Sequence, residues 1–312
     1  MFTLAKKQEI SKAAKLYLDE KGLTAAEFHR NTKFPSAYLS DVLNEKFDKE
    51  YPKQEHYEKL CDLIGFSYKK EYWQHFDTEV YQEIEGVFLV AKNERKLCGV
   101  DGQTGIGKTY ALERLTRSSS GNYYVKVEPS QSRVDFLENI CDIMGLKVGS
   151  RNTFKMQKQI VERLKNTRDG LLILDECEYI SKSHFDMIKT IYDNVKDQSG
   201  ILISGFGIKE LIEKKAISTQ GKKGWAQLKR RINQNWNVLP EVGAGSSDWK
   251  EVVSTILQEL APKRFSKSAI SWLTNRSENF DELKTLVTEI LMAADDDSVK
   301  LISKDYLNNY FV

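Results

Sequence analysis

The octapeptide Gly102-Gln103-Thr104-Gly105-Ile106-Gly107-Lys108-Thr109 is the most informative stretch of this chain. It has the form GxxxxGKT and stands between a short apolar segment, residues 96–100, and a helix-like segment, residues 110–117. A strand, a glycine-rich loop and a helix in this order are typical of a phosphate-binding loop. The glycines let backbone N–H groups turn toward a phosphate chain, and the positive end of the following helix adds to the attraction for an anion.

This loop predicts a site for ATP and Mg²⁺. Lys108 would reach the β- and γ-phosphates, and the hydroxyl of Thr109 would bind the magnesium ion. The predicted nucleotide-binding residues are Gly102, Gln103, Thr104, Gly105, Ile106, Gly107, Lys108, Thr109 and Tyr110. The alternative is a glycine-rich turn between a strand and a helix, with a Lys-Thr pair that stands there by chance.

A pair of adjacent carboxylates follows about 65 residues later. Residues 171–174 form a continuous apolar run, which is typical of a buried parallel strand, and the run ends in Asp175 and Glu176. Asp175 would hold the magnesium ion through its water shell, and Glu176 would polarise the attacking water. Two adjacent carboxylates indicate an ATPase that hydrolyses with its own base. The alternative is a strand that ends in a polar turn.

Composition sets broad limits on the chain. Its 312 residues can hold two or three compact units, and a hydrophobic content of 40% is ample for packed cores. The formal net charge of +2 carries no signal for nucleic acid, so a DNA site must come from local clustering. The four cysteines lack metal-ligand spacing, the apolar runs are too short to span a bilayer, and the first residues lack the apolar core of a signal peptide. We therefore expect a cytoplasmic protein with reduced thiols and no membrane partner.

The first part of the chain, residues 1–68, predicts a helix-turn-helix domain. Apolar residues recur at helical spacing up to residue 18, and Thr24 with Glu27 has the form of a capping box. Further helices are predicted over residues 36–44 and 54–64. The face of the 36–44 helix that would enter a DNA groove carries no arginine, so a helical module that binds protein remains an alternative to DNA binding.

The rest of the chain predicts an α/β core and a helical lid. Residues 69–92 form a connecting segment, residues 93–240 the ATPase core, and residues 241–312 the lid. Five strands are predicted at 96–101, 123–127, 171–175, 200–204 and 236–239. They alternate with helices near 108–117, 133–145, 153–166, 183–196 and 207–214. Such alternation predicts a parallel sheet covered on both faces. The glycines at 221 and 224 indicate a flexible loop there.

With these pieces in place the chain resembles the AAA+ transposition-targeting ATPases. The order of the predicted domains matches over nearly the whole length, and the turn Glu128-Pro129-Ser130-Gln131-Ser132-Arg133 before a helix is similar in that family. The resemblance implies an ATPase stimulated by DNA. It also implies ATP-bound subunits that assemble as a helical filament or a ring on double-stranded DNA, mark the target site and recruit or activate a DDE transposase.

The resemblance also implies roles for several residues of the ATP site. Arg231, or Arg230 beside it, would complete the ATP site of the neighbouring subunit, where its charge would counter that of the γ-phosphate. Ser204 stands where AAA+ ATPases have a polar residue that senses the γ-phosphate, although a small residue that admits the following turn is an equal alternative. Lys284 stands where the lid has a phosphate-sensing arginine, but a lysine there loses the bidentate fork, so a solvated helix lysine is the alternative. For Arg230 and Arg231 the alternative is that both are surface residues or DNA contacts.

DNA contacts are predicted where basic residues cluster. The candidates are Ser130, Arg133, Arg151, Lys155, Lys222 and Lys223. Charge runs of this kind are also typical of solvated faces.

Two other functions compete with transposition targeting. One is an ATPase that loads a replicative helicase, and the other is a helix-turn-helix transcription regulator switched by ATP. A strongly basic recognition helix would favour the regulator, and this chain lacks one.

Overall fold

The computed structural model describes residues 4–47, 52–66, 72–149, 151–217 and 222–311. The chain divides into two compact units, Met1–Glu71 and Tyr72–Val312, and each is described by itself.

The first unit is a small helical bundle. Its helices are α1 (Leu4–Lys21), α2 (Ala25–Thr32), α3 (Ser36–Leu43) and α4 (Gln54–Ile64). The predicted capping box opens α2, because the backbone N–H of Glu27 donates to Thr24 Oγ1 at 3.2 Å and the N–H of Thr24 donates to Glu27 Oε2 at 2.8 Å. Phe28, Phe34 and Leu60 are among the buried side chains of its core. Its role as a helix-turn-helix domain stays a prediction.

The second unit is built around a five-stranded parallel sheet. Its strands are β1 (Leu97–Asp101), β2 (Asn122–Lys126), β3 (Gly170–Asp175), β4 (Ser199–Gly205) and β5 (Trp236–Val238), in the order β2-β3-β4-β1-β5. Strands β1, β3 and β4 are buried along their whole length, as the continuous apolar runs predict. Strand β4 separates the strand before the phosphate loop from the strand that ends in Asp175. The predicted α/β fold with a parallel sheet is confirmed.

Helices cover both faces of the sheet. They are α5 (Glu79–Asn93), α6 (Lys108–Ser118), α7 (Arg133–Ile143), α8 (Thr153–Lys165), α9 (Lys182–Val195), α10 (Ile208–Ile217) and α11 (Lys222–Ile232). Helices α5 and α6 pack on one face, and α7 to α11 contribute to the core on the other. The predicted loop around residue 224 is wrong, because residues 222–224 open α11. Buried Trp225 and Leu228 anchor that helix to the core.

A helical subdomain follows the sheet. It consists of α12 (Trp249–Leu260), α13 (Lys267–Arg276), α14 (Phe280–Asp296) and α15 (Lys304–Tyr310). Trp249 lies in its core, where the indole N–H donates to the carbonyl of Ser277 at 2.9 Å. The segment before α5 packs on this subdomain, and the Tyr72 hydroxyl donates to Asp295 at 3.0 Å. None of the helices in the described part of the chain combines the length and the apolar content needed to cross a membrane.

Candidate active site

The loop between β1 and α6 is shaped by glycines in left-handed backbone conformations. Gly105 has φ +80° and Gly107 has φ +94°, a region that other residues enter only at a cost in energy. A methyl group placed on Gly105 would lie 2.6 Å from the side chain of Asn279, which caps the start of α14. The loop therefore lies directly beneath the first turn of a helix from the lid.

Lys108 lies buried inside this loop. Its ammonium group donates hydrogen bonds to the carbonyls of Gly102 and Gln103, both at 2.6 Å. Burial lowers the pKa of Lys108, and nearby carboxylates, Asp175 first among them, oppose that shift. An ammonium has three N–H donors, so two carbonyl bonds leave a third for a phosphate oxygen.

Thr109 and Asp175 meet at the end of β3. The Thr109 hydroxyl donates to Asp175 Oδ2 at 2.7 Å, and the Tyr124 hydroxyl donates to the same oxygen at 2.9 Å. Burial and the negative charge of Asp175 raise the pKa of Tyr124, so this phenol remains a donor. A hydroxyl and a carboxylate are oxygen ligands of the kind that Mg²⁺ takes, and the nucleotide phosphates and water supply the rest. Among the described residues no group of three or more His, Cys, Asp or Glu could hold a metal by itself.

Glu176 stands in an uncommon backbone conformation. Its φ is +58°, in the left-handed region, and its side chain pairs with Lys126 at the end of β2, with Nζ and Oε1 2.9 Å apart. The hydrogen bond from Lys126 to Glu176 raises the pKa of Lys126. The carboxylate that is predicted to activate water therefore has a cationic partner on the neighbouring strand.

These groups line one cavity of about 390 Å³. The cavity is lined by Thr104, Gly105, Gly107, Lys108, Thr109, Tyr110, Glu113, Lys126, Asp175, Glu176, Glu178, Gly205 and Asp281. Sequence reasoning missed Glu113, Lys126, Glu178 and Asp281 of this lining and, beside the cavity, Tyr124. Tyr124 and Lys126 are two residues apart in β2, so the sequence places them on the same face of that strand. That β2 lies beside β3 is known only from the sheet order.

A smaller aromatic pocket of about 80 Å³ adjoins the loop. On the loop side it is lined by Gly107 and Tyr110, and elsewhere by Trp73 and Phe76 before α5 and Tyr81 within it. Helix α14 contributes Lys284. The other lining residues are Gln74, Thr78, Val80, Ile106, Ile256, Phe280 and Asp281. Exposed Lys284 thus lies beside the loop. Aromatic and aliphatic walls beside a phosphate loop suit a nucleotide base.

Ser204 and the two arginines differ in their surroundings. Ser204 is buried near the end of β4, next to Gly205, and its hydroxyl has no hydrogen-bond partner within the part of the chain that the structure describes. Arg231 makes a two-pronged ion pair with Asp193 of α9, with nitrogen–oxygen distances of 2.5 and 2.6 Å. Arg230 is exposed. Neither arginine lines the cavity at the phosphate loop of its own chain.

Four of the six predicted DNA contacts, Ser130, Arg133, Arg151 and Lys155, lie at or just before the starts of α7 and α8. Ser130 has φ +66° in the turn before α7, and Arg133 is the exposed first residue of that helix. Arg151 pairs with Asp135 and Glu138 of α7, at 2.5 and 3.1 Å, and Lys155 is exposed in the first turn of α8. The side chains of Lys222 and Lys223 lie outside the described part of the structure.

Residues 91–214 match the family described as an AAA domain. The phosphate loop, the acidic strand end and the parallel sheet agree with that match, so the chain carries an AAA+ ATPase domain. Over 233 residues it is 22% identical to the Mu-like prophage FluMu DNA transposition protein B of Haemophilus influenzae, an alignment that covers 72% of this chain and 78% of that protein. The chain thus resembles the AAA+ ATPases of phage transposition.

Two further proteins are similar to parts of this chain. Over 130 residues the chain is 21% identical to the ATP-dependent target DNA activator B of Escherichia phage D108, an alignment that covers 41% of each protein. Among solved structures, a DNA replication initiation factor superposes with a TM-score of 0.46 at 13% identity, covering 72% of this chain and 66% of that one. A structural similarity of this size carries no functional conclusion.

Proposed function

We propose that this chain is an ATP-dependent, sequence-nonspecific DNA-binding ATPase that assembles on target DNA and recruits or activates a DDE transposase. The observation that carries the proposal is the convergence of Lys108, Thr109, Asp175 and Glu176 on one cavity, in a chain that resembles phage transposition proteins. Such a protein would act in the cytoplasm of a bacterial host.

The residues of the cavity would have different roles in ATP binding and hydrolysis. The loop would hold the triphosphate through its N–H groups and the ammonium of Lys108. Thr109 and Asp175 would hold a magnesium ion, which supplies charge neutralisation on the phosphates. Glu176 would accept a proton from the water that attacks the γ-phosphate. The buried hydroxyl of Ser204, in β4, and the ammonium of Lys284, beside the aromatic pocket, would respond to bound nucleotide from the sheet and from the lid.

The proposed domains follow one another along the chain. Residues 1–68 would form the helix-turn-helix domain and residues 69–92 the connecting segment. Residues 93–240 would form the ATPase core and residues 241–312 the lid. DNA stimulation of hydrolysis would follow if assembly on DNA brings Arg231 or Arg230 of one subunit to the ATP site of the next.

Replacing the loop lysine tests the proposal. We expect Lys108→Ala to abolish ATP binding, measured by calorimetry, because the variant loses the ammonium that the loop encloses. The same variant should form no assemblies on duplex DNA in electron micrographs with ATP, whereas wild type should form filaments or rings. Lys250→Ala, which removes one exposed lysine from α12, is the matched control. Wild-type ATP affinity in the Lys108 variant would remove the nucleotide assignment, and wild-type protein that binds ATP but never assembles on DNA would remove the targeting role.

A further inference from the structure

A second, larger groove lies on the other side of the aromatic pocket. Its volume is about 400 Å³, and it runs between the start of α5, the segment after β5 and helix α12. Its apolar floor is formed by Phe76, Val80, Val242, Val252, Ile256 and Phe280. All of these residues belong to the unit Tyr72–Val312.

One face of α12 lines this groove. The residues of the helix and its N-cap that line the groove are Asp248, Glu251, Val252, Thr255, Ile256 and Glu259. They recur at spacings of three and four, which places them on a single stripe along the helix. The opposite stripe, with Trp249, Val253 and Leu257, is buried in the core of the helical subdomain. The α12 stripe therefore combines exposed acidic side chains with two apolar ones, Val252 and Ile256, whose other sides pack in the core of the subdomain.

The rim of the groove is strongly negative. Six exposed carboxylates line it, from Asp77, Glu79, Glu241, Asp248, Glu251 and Glu259, and the lining includes no lysine or arginine. Within the described ranges none of these six takes part in an ion pair. Carboxylates gathered around a cavity make the local electrostatic potential more negative and attract cations.

We propose that this groove binds a cationic segment of another protein, with apolar side chains on the floor and lysines or arginines against the rim. The six carboxylates repel phosphate, which excludes DNA and the nucleotide triphosphate as occupants. The apolar floor needs side chains that a simple cation lacks, and an amphipathic segment supplies both features. The inference goes beyond the proposed function, because it assigns a protein-binding surface whose six carboxylates lie outside the ATP cavity, the aromatic pocket and the predicted DNA contacts. The groove shares only floor residues with the aromatic pocket, namely Phe76, Thr78, Val80, Ile256 and Phe280.

The test uses the full-length protein and two labelled peptides of about 16 residues, which is about four helical turns and leaves room for anchors at i, i+3, i+4 and i+7. The first peptide carries leucine and phenylalanine at helical spacing with lysines on either side. The second has serine at the apolar positions and the same charge. We expect fluorescence anisotropy to show tighter binding of the first peptide. Glu251→Gln combined with Glu259→Gln should weaken that binding about tenfold, equivalent to ~1.4 kcal/mol.

A matched control separates the groove from general charge. Glu20→Gln combined with Glu289→Gln removes two exposed carboxylates outside the groove and should leave peptide affinity unchanged. The proposal is overturned if both double variants lose the same affinity, if neither loses any, or if the serine peptide binds as well as the first. It is also overturned if the double variant Glu251→Gln and Glu259→Gln, the groove variant, binds the peptide normally but no longer self-associates in sedimentation. The occupant of the groove would then be a second copy of this chain. ATP affinity of the groove variant, measured in parallel, should equal wild type, so a failure here stays distinct from a failure of the nucleotide assignment.

Discussion

Glu176 combines two features that a simple strand end would not require. A left-handed backbone conformation costs a residue with a β-carbon roughly 1–2 kcal/mol, so the surrounding structure must stabilise it. The ion pair with Lys126 is partly exposed, with 49% and 30% of the two side chains accessible, and such a pair contributes about 1 kcal/mol at most. Glu176 lines the cavity together with Asp175, where the proposed attack on ATP would take place.

Replacing this carboxylate by its amide separates ATP binding from hydrolysis. Glu176→Gln keeps the shape of the side chain but cannot accept a proton, so we expect wild-type ATP affinity and a loss of turnover of at least about a hundredfold. If assembly needs the ATP state, the variant should also stay on DNA longer. Phosphate release and the lifetime of DNA complexes measure the two effects. Turnover at the wild-type rate would show that another group, such as Glu178 in the same cavity, is the base.

At the scale of elements, α5 and β4 make an unusually close contact. The first helix of the second unit packs on β1 and β4, and Gly200 of β4 lies directly against the carbonyl of Ala91 in α5. A methyl group on Gly200 would stand 1.9 Å from that oxygen, a distance at which backbone must move. Trp73 and Phe76, just before α5, and Tyr81, within it, line the aromatic pocket beside the loop. The contact between Gly200 and α5 therefore also helps to position the proposed site for the nucleotide base.

Gly200→Ala should therefore destabilise the second unit. Overpacking against backbone costs about 1–3 kcal/mol, and we expect a loss of that size in the free energy of unfolding, measured with denaturant. Gly86→Ala is the matched control on α5, because no heavy atom lies within 4 Å of the added methyl group. Replacing a helical glycine by alanine should stabilise the protein by up to about 1 kcal/mol. Equal effects of the two substitutions would contradict the close contact.

The starts of α7 and α8 carry the predicted DNA contacts. Arg133 is exposed, whereas Arg151 is partly neutralised by Asp135 and Glu138, so a phosphate would have to compete with two carboxylates for it. Backbone phosphate contacts make affinity fall steeply with salt and depend little on sequence. We expect Arg133→Ala with Arg151→Ala to weaken binding similarly on unrelated duplexes and to flatten the salt dependence. A loss confined to one sequence would favour a transcription regulator.

At the scale of the whole molecule, the proposed function needs more than one subunit. Arg231 is tied to Asp193 within its own chain, and neither Arg231 nor Arg230 lines the cavity of that chain. A role of Arg231 in the ATP site of a neighbour requires the arginine to exchange Asp193 for a phosphate. Turnover should then rise faster than linearly with protein concentration.

Mixing two inactive variants tests this role. Arg231→Ala should bind ATP but turn it over poorly, and Lys108→Ala should bind none. Lys108→Ala should not assemble alone, so the test depends on its joining an assembly with ATP-bound Arg231→Ala subunits. There its intact Arg231 would reach a neighbour that retains Lys108, and part of the activity should return. Asp193→Asn is the control: if Arg231 only ties α11 to α9, this variant should lose as much activity as Arg231→Ala. No recovery despite demonstrated mixed assembly would count against an arginine that acts between subunits.

The sequence alone determined the parts of this protein that depend on local patterns. Continuous apolar runs predicted the buried strands to within a residue or two, the Thr24–Glu27 spacing predicted a cap that the structure forms, and the GxxxxGKT loop predicted a nucleotide site. These features follow from neighbours along the chain, where hydrophobic periodicity and glycine conformations act directly.

The tertiary structure decided what depends on residues far apart in the chain. The glycines at 221 and 224 predicted a flexible loop where α11 begins, and the burial of Trp225 and Leu228 explains why residues 222–224 are helical instead. Lys126 reaches Glu176 because β2 lies beside β3, and Asn279 reaches the phosphate loop from the lid. No local sequence pattern predicts the strand order or the position of the lid, because both depend on how the apolar faces of whole helices and strands pack together.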